Sequence, residues 1–350
     1  QPALSYLPRF LKALGDAYGP RNPGGHIVLS VAENKLDLPL GLLRRRLARM
    51  SGLLPPEAFG YGDMRGSQRL REAVSAHLRD AGVLGPGAEA PPGALCVSSG
   101  CGAVLDSMMF LLAAKGDAVL IPAPYYPAFD NDLAAKAGVQ PVPVRASGEL
   151  LVRPRDLAAA AAEAEARGLR PRAVLLTNPH NPLGVVYPPE LVLELASWAL
   201  GRGLHVISDE IYAGSVFAPE EGPPFRSLLA MLPELRHRHG REAADARVHA
   251  MWGFSKDFCA SGFRVGCLCS HNQELHRALG NVAYFCAVSN HTQHVLAAML
   301  EDRGFVIGFM QSNRRALAAA YSAVAKCLGD CGVPFLPAQA GMFVMVDLRK

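Results

Sequence analysis

The sequence predicts an α/β fold, with a large domain built on a mostly parallel central sheet flanked by helices and part of a smaller α+β domain. Three observations predict it. Short apolar runs recur along the chain with helical patterns between them. The runs are apolar at consecutive positions rather than alternate ones, as in strands covered on both faces. Their strand–helix–strand order is that of a parallel sheet. With 350 residues, half of them hydrophobic, the chain is long enough to bury one large core with a smaller lobe beside it.

Taken in order, the elements begin irregularly. Before Arg69 the chain carries Pro and Gly in "YGPRNPGGH" and "LLPPEAFGYG", and Arg44-Arg45-Arg46 reads as one turn of a solvated helix. Strands are predicted at 94–99 (ALCVSS), 117–122 (DAVLIP), 139–144 (VQPVPV), 173–178 (AVLLTN), 204–210 (LHVISDE), 248–254 (VHAMWGF) and 265–270 (VGCLCS). Helices are predicted over 155–168 and 188–203; the second has Pro in its first turn and Gly at its end. After about Glu301 the pattern is helical, then strand-like in "GMFVMVDLRK". The expected organisation is residues 1–45 in the small domain, 46–300 as the large domain and 301–350 as the start of a C-terminal small domain. No internal repeat is visible.

Composition narrows the function. A net charge of +4 and a pI near 8.6, with no longer like-charge run than the three arginines, do not suggest nucleic-acid binding. No apolar segment reaches membrane-spanning length and no signal peptide opens the chain, so a cytoplasmic protein is expected. The chain begins at Gln1, which leaves room for an upstream targeting segment. Eight cysteines stand at 96, 101, 259, 267, 269, 286, 327 and 331, with no CxxC pair and no histidine at zinc-like spacing. They read as reduced thiols, several of them small buried hydrophobes in strands, and no metal site is expected.

In open α/β sheets, function collects where strands end, and four ends here are unusual. "VSSGCGAV" follows a strand and opens a helix; its small residues leave N–H groups uncovered for a phosphate, although a plain tight turn reads the same way. "TNPHNPLG" has two Asn-Pro pairs that favour an extended chain, with the Asn181 amide available to donate and accept; a proline-rich turn without chemistry is the alternative. "ISDEIY" ends an apolar strand on Asp209, which needs a partner if buried, or caps a helix, and Tyr212 follows three residues on. "GFSKDFCASGFRVG" places Lys256 at a strand end, where desolvation makes an amine nucleophilic, and Arg264 eight residues later. Only seven lysines occur in the chain, so an amine at 256 reads as a specific requirement. Neither G-x-G-x-x-G nor a P-loop is present, which removes a nicotinamide-dependent dehydrogenase.

Together these segments resemble the fold-type I pyridoxal-phosphate enzymes, the class I/II aminotransferases, whose lysine signature fits Gly253, Ser255, Lys256, Gly262, Arg264 and Gly266. The likeness runs from about Ile27 to Lys350. "SVAENKLDLPL", "IPAPYYPAFDNDL", "TNPHNPLG", "HVISDEIYAGSVF" and "AGMFVMVDLRK" are similar to 1-aminocyclopropane-1-carboxylate (ACC) synthases and to ACC-synthase-like proteins. The resemblance implies a pyridoxal 5'-phosphate cofactor in a Schiff base with Lys256, which also moves the substrate α-proton. It implies Asp209 at the pyridine nitrogen, Asn181 and Tyr212 at the ring's phenolic oxygen, and Tyr126 stacked on the ring. Cys101 and Gly102 would offer backbone N–H groups to the phosphate, beside Ser255 and Arg264. Glu33 would lie close to the substrate, its plainer roles being a helix cap or a solvated carboxylate. The implied partner is a second copy of the chain, with Tyr61 crossing a homodimer interface to the other subunit's phosphate.

Three departures qualify the likeness. Met64 stands where plant synthases carry that tyrosine, and Tyr61 where aminotransferases do; Gly253 replaces a serine that would offer the phosphate a hydroxyl; Cys259 replaces a smaller or aliphatic residue. The family's arginine for the substrate α-carboxylate falls beyond the position of Lys350, so the chain as given is expected to bind cofactor and turn over poorly. The implied reaction on an α-amino acid is transamination or α,γ-elimination. The alternative is a non-catalytic, cofactor-binding or regulatory descendant of the same fold.

Overall fold

A computed structural model describes residues 12, 13, 15–29, 32–49, 54–80, 84 and 90–349. Seven strands form one sheet: β1 (Leu95–Ser98), β2 (Asp117–Ala123), β3 (Gln140–Arg145), β4 (Arg170–Thr177), β5 (His205–Asp209), β6 (Val248–Gly253) and β7 (Gly266–Ser270), in the order β1-β7-β6-β5-β4-β2-β3. The β2/β3, β2/β4, β4/β5 and β5/β6 pairs are parallel, while β7 is antiparallel to both β1 and β6. It follows that β1 runs with β6. All strands of this sheet except β7 therefore deliver their C-terminal ends to one edge, and β7 begins there.

The continuous apolar runs have a direct cause. Successive side chains of a strand point to opposite faces, and here each face has its own core. Val174, Leu176 and Val206 pack with the helices Pro154–Ala166 and Pro189–Gly201. Ala173, Leu175 and Ile207 pack with the helices Cys101–Leu112 and Gln273–Val282. A third cluster, with Trp252, Phe254, Phe258 and Phe309, lies under the helices Gln68–Asp80, Asn290–Glu301 and Arg303–Asp330.

The structure corrects three expectations. β3 is an edge strand whose residues are alternately buried and open, not covered on both faces. Pro141 and Pro143 have no N–H to donate, and such residues are confined to sheet edges. At the opposite edge, the outward N–H groups of Val97 and Ser99 donate to Arg65 O at 2.7 Å and Cys286 O at 2.9 Å. Arg46 is not solvated like Arg44 and Arg45: it pairs with Asp302 at 2.8 Å and lies over the Phe305 ring. The "TNPHNPLG" segment turns rather than running extended, closed by His180 N–H to Val185 O at 2.8 Å and Gly184 N–H to His180 O at 2.9 Å; both Asn-Pro peptides are cis.

Beyond the sheet, the helix Asp37–Ala48 lies on the long helix Arg303–Asp330, and a two-stranded ribbon of β8 (Phe335–Leu336) and β9 (Met345–Val346) follows. Among the described residues no helix is long and apolar enough to cross a membrane.

Candidate active site

The common edge of the sheet holds a depression of about 220 Å³ into which the four unusual strand ends converge. After β1, Gly100 turns the chain with φ +96° into the helix Cys101–Leu112, so the first N–H groups of that helix face the depression. Gly100 is required for a second reason. A Cβ there would sit 2.6 Å from Arg264 Nη2, inside the space the guanidinium fills. Arg264 itself adopts a left-handed conformation, φ +51°, just before β7, and its Nη1 donates to Ser261 O at 3.0 Å. One end of the depression thus combines a helix N-terminus with a fixed cation, an arrangement suited to an anion.

The other end is formed by β5. Asp209 is buried at the end of this apolar strand, and its carboxylate accepts the Ile211 N–H at 3.3 Å. Burial pushes its pKa up to about 7, against the opposing pull of that N–H and of Lys256. No α-helix follows, only the 3₁₀ turn Ala213–Ser215, so Asp209 is not the cap of one. Tyr212 is buried beside it, edge-on to Phe343 at 5.1 Å, and burial raises its phenol pKa.

Lys256 lies between these ends on the four-residue helix Phe254–Asp257 that follows β6. Its largest influence is burial, which lowers the amine pKa; Glu33 and Asp209 oppose it. Nζ donates to Ala32 O at 2.5 Å, so the N-terminal segment crosses the lysine. Glu33 on that segment is neither cap nor free. It pairs with Lys35 at 2.9 Å and accepts from Ser261 Oγ at 3.1 Å.

The structure brings Cys101, Gly102, Tyr126, Asn181, Asp209, Tyr212 together with Ser255, Lys256 and Arg264 around the same depression. Tyr61 lies outside it and is 92% exposed. Two polar lining residues were not singled out from the sequence. Asp132 has its pKa pushed to about 6 by burial and then by Asp106, and Ser261 joins Arg264 to Glu33. Both lie within the quoted segments "YYPAFDNDL" and "FCASGFR", Ser261 at turn spacing from Arg264.

This geometry fits pyridoxal phosphate on three counts. The cation and helix end at Gly100 suit a phosphate. A buried carboxyl given one backbone N–H suits a protonated ring nitrogen. An amine held between them, short of its full basicity, suits a covalent link to an aldehyde.

Residues 26–350 match the family described as aminotransferase class I and II, and the chain belongs to that family, whose members are pyridoxal-phosphate enzymes. It is 36% identical over 349 residues to 1-aminocyclopropane-1-carboxylate synthase 5 of Oryza sativa subsp. japonica, covering 94% of this chain and 62% of that protein. Synthase 3 of the same plant is 36% identical over 347 residues, covering 96% of this chain and 75% of the relative. Synthase 7 of Arabidopsis thaliana is 32% identical, with 93% and 73% covered. Among solved structures, the Thermus thermophilus aspartate aminotransferase with maleate superposes with a TM-score of 0.74 at 21% identity, covering 99% of this chain and 82% of that one. That likeness fixes the fold as the aspartate aminotransferase type.

Proposed function

We propose that this chain binds pyridoxal phosphate through Lys256 and uses it to labilise the α-proton of an amino acid. The single observation that carries the reading is a half-buried lysine of lowered pKa in the same depression as Asp209 and Arg264. When bound, the cofactor supplies an electron sink for the charge left on the substrate α-carbon.

The roles of the chain's own groups follow from where they stand. Lys256 Nζ is the covalent anchor and, once released, the base that carries the α-proton. Burial lowers the pKa of the amine and so favours its uncharged form, the form a base requires. Asp209 holds a proton on the ring nitrogen, and its own raised pKa is relieved by that partner. Asn181 and Tyr212 donate to the phenolic oxygen, and Tyr126 covers the ring face. Cys101 and Gly102 N–H, Ser255 and Arg264 hold the phosphate. Glu33, on the segment that crosses Lys256, borders the substrate.

The ACC synthase relatives support a substrate with a γ leaving group, and therefore α,γ-elimination; transamination shares the same first proton transfer. The eight thiols, none of them paired, support a reducing, cytoplasmic setting. The helix Asp37–Ala48 against Arg303–Asp330 supports joining the first 45 residues and those after 300 into a second lobe. We further propose that two copies form a homodimer, with Tyr61 reaching across.

The test is reductive trapping. Borohydride treatment of the cofactor-loaded chain is expected to leave one pyridoxyl tag, on the peptide bearing Lys256, and Lys256→Ala to abolish it. A tag on another lysine, or none, sinks the reading. Product identification by mass after S-adenosylmethionine, and separately after alanine with a keto acid, distinguishes elimination from transamination.

A further inference from the structure

Asp257, the residue after Lys256, is completely buried and takes three hydrogen bonds on its carboxylate. Oδ2 accepts from Gly214 N–H at 2.9 Å and Trp252 Nε1–H at 3.0 Å, and Oδ1 accepts from Ser215 Oγ–H at 2.6 Å. Two of these donors belong to the turn that directly follows Tyr212. A Cβ on Gly214 would stand 2.8 Å from the Asp257 carboxyl carbon, so that backbone is pressed onto the carboxylate. On its other side, Asp257 O accepts from Asn313 Nδ2 at 3.3 Å, and Asn313 Oδ1 accepts from Asn34 Nδ2 at 2.6 Å. The two segments joined in this way are short. Lys256 rides on four helical residues and Tyr212 precedes a three-residue 3₁₀ turn. Neither is long enough to hold its own shape, because isolated turns of helix are unstable.

We propose that Asp257 is the positioning residue that makes Lys256 and Tyr212 one rigid unit, holding the Tyr212 hydroxyl at a fixed place relative to the lysine nitrogen. The proposal rests on the reading that Lys256 carries the cofactor and Tyr212 meets its ring. In a dry site, removing a shared acceptor orphans every donor it served, and the Tyr212 turn is then free to shift. Asparagine, however, would keep a hydrogen bond to all three partners. Its amide oxygen takes the place of Oδ2, and its NH₂ donates to Ser215 Oγ, whose hydroxyl can turn to accept.

The experiment follows the pH midpoint at which the visible absorbance band of the cofactor-loaded protein titrates, a readout that a purely structural residue would not move. Asp257→Ala is expected to shift the midpoint by about one pH unit, the worth of one ordinary hydrogen bond, in the same direction as Tyr212→Phe. The double variant is expected to shift no further than the larger single one. Asp257→Asn is expected to hold the wild-type midpoint. Shifts that add, or an Asp257→Ala band that titrates like wild type, overturn the proposal. Should Asp257→Ala fail to fold, Ser215→Ala replaces it. A smaller shift that vanishes in the Tyr212→Phe background supports the proposal, and no shift overturns it. Wild-type protein that cannot be trapped at Lys256 is a separate failure, seen before any variant is made; it removes the cofactor reading and this inference with it.

Discussion

Gly253 and Cys101 compete for one space. A Cβ at 253 would stand 3.0 Å from Cys101 Sγ and 3.0 Å from Val265 O, so a serine at 253, as the aminotransferase pattern has it, does not fit beside the cysteine. The lost phosphate hydroxyl is thus tied to the thiol, which burial holds in its protonated form by raising its pKa well above the usual range. Gly253→Ser is expected to destabilise the fold by about 1–3 kcal/mol, as overpacking does. Adding Cys101→Ala is expected to return part of that loss, since Val265 O remains in the way. Urea unfolding of the two single variants and the double measures this, and strictly additive costs would refute the coupling. From sequence, Gly253 showed only as a departure from pattern, because its reason sits on a different strand end. Lys256 and Asp209 were legible for the opposite reason: a charged residue closing an apolar run is conspicuous in one dimension, and Arg264 stands eight residues after the lysine.

The helix Pro154–Ala166 illustrates what a single side chain does for an element. Asp156, in its first turn, accepts Arg153 N–H at 2.8 Å, and its other oxygen accepts Ser147 Oγ–H at 2.5 Å and Ser147 N–H at 3.2 Å. Burial opposes its charge, yet these donors together with Arg155 leave its pKa below the usual 3.8. A depressed carboxyl stabilises the fold above its unfolded pKa, and that contribution is lost as pH falls through the folded value. Asp156→Ala is expected to cost about 1–2 kcal/mol at pH 7. The difference from wild type should shrink below about pH 4, as the wild-type carboxyl itself protonates; thermal melts at the two pH values check this. Its helical pattern over 155–168 made this helix readable. β3 was misread because a run of valines and prolines resembles a covered strand until its neighbours are known. The turn at Asn181 was misread because local proline preferences gave no sign of the closing bonds at His180 and Gly184.

At the scale of the molecule, two pairs of aromatics stand well out into solvent. Phe59 and Tyr61 are 79% and 92% exposed, Tyr284 and Phe285 62% and 83%. Asn290 Nδ2 donates to Gly60 O at 2.6 Å, which ties the first pair to the chain just after the second. Large exposed apolar side chains of this kind are in keeping with the proposed homodimer. Light scattering is expected to give twice the 37.3 kDa chain mass, and Tyr284→Ser with Phe285→Ser is expected to return it to a single mass. A wild-type protein of single mass at micromolar concentration would count against the dimer. The pairing of Asp37–Ala48 with Arg303–Asp330 was not legible, because it joins segments far apart in the sequence.

The two outermost strands add a last constraint. Loop carbonyls already occupy the outward donors at Val97 and Ser99, and the prolines of β3 have none to offer. Both rims of the sheet are thus poor templates for a strand from a neighbouring molecule, which guards a crowded, newly made chain against growing into fibres.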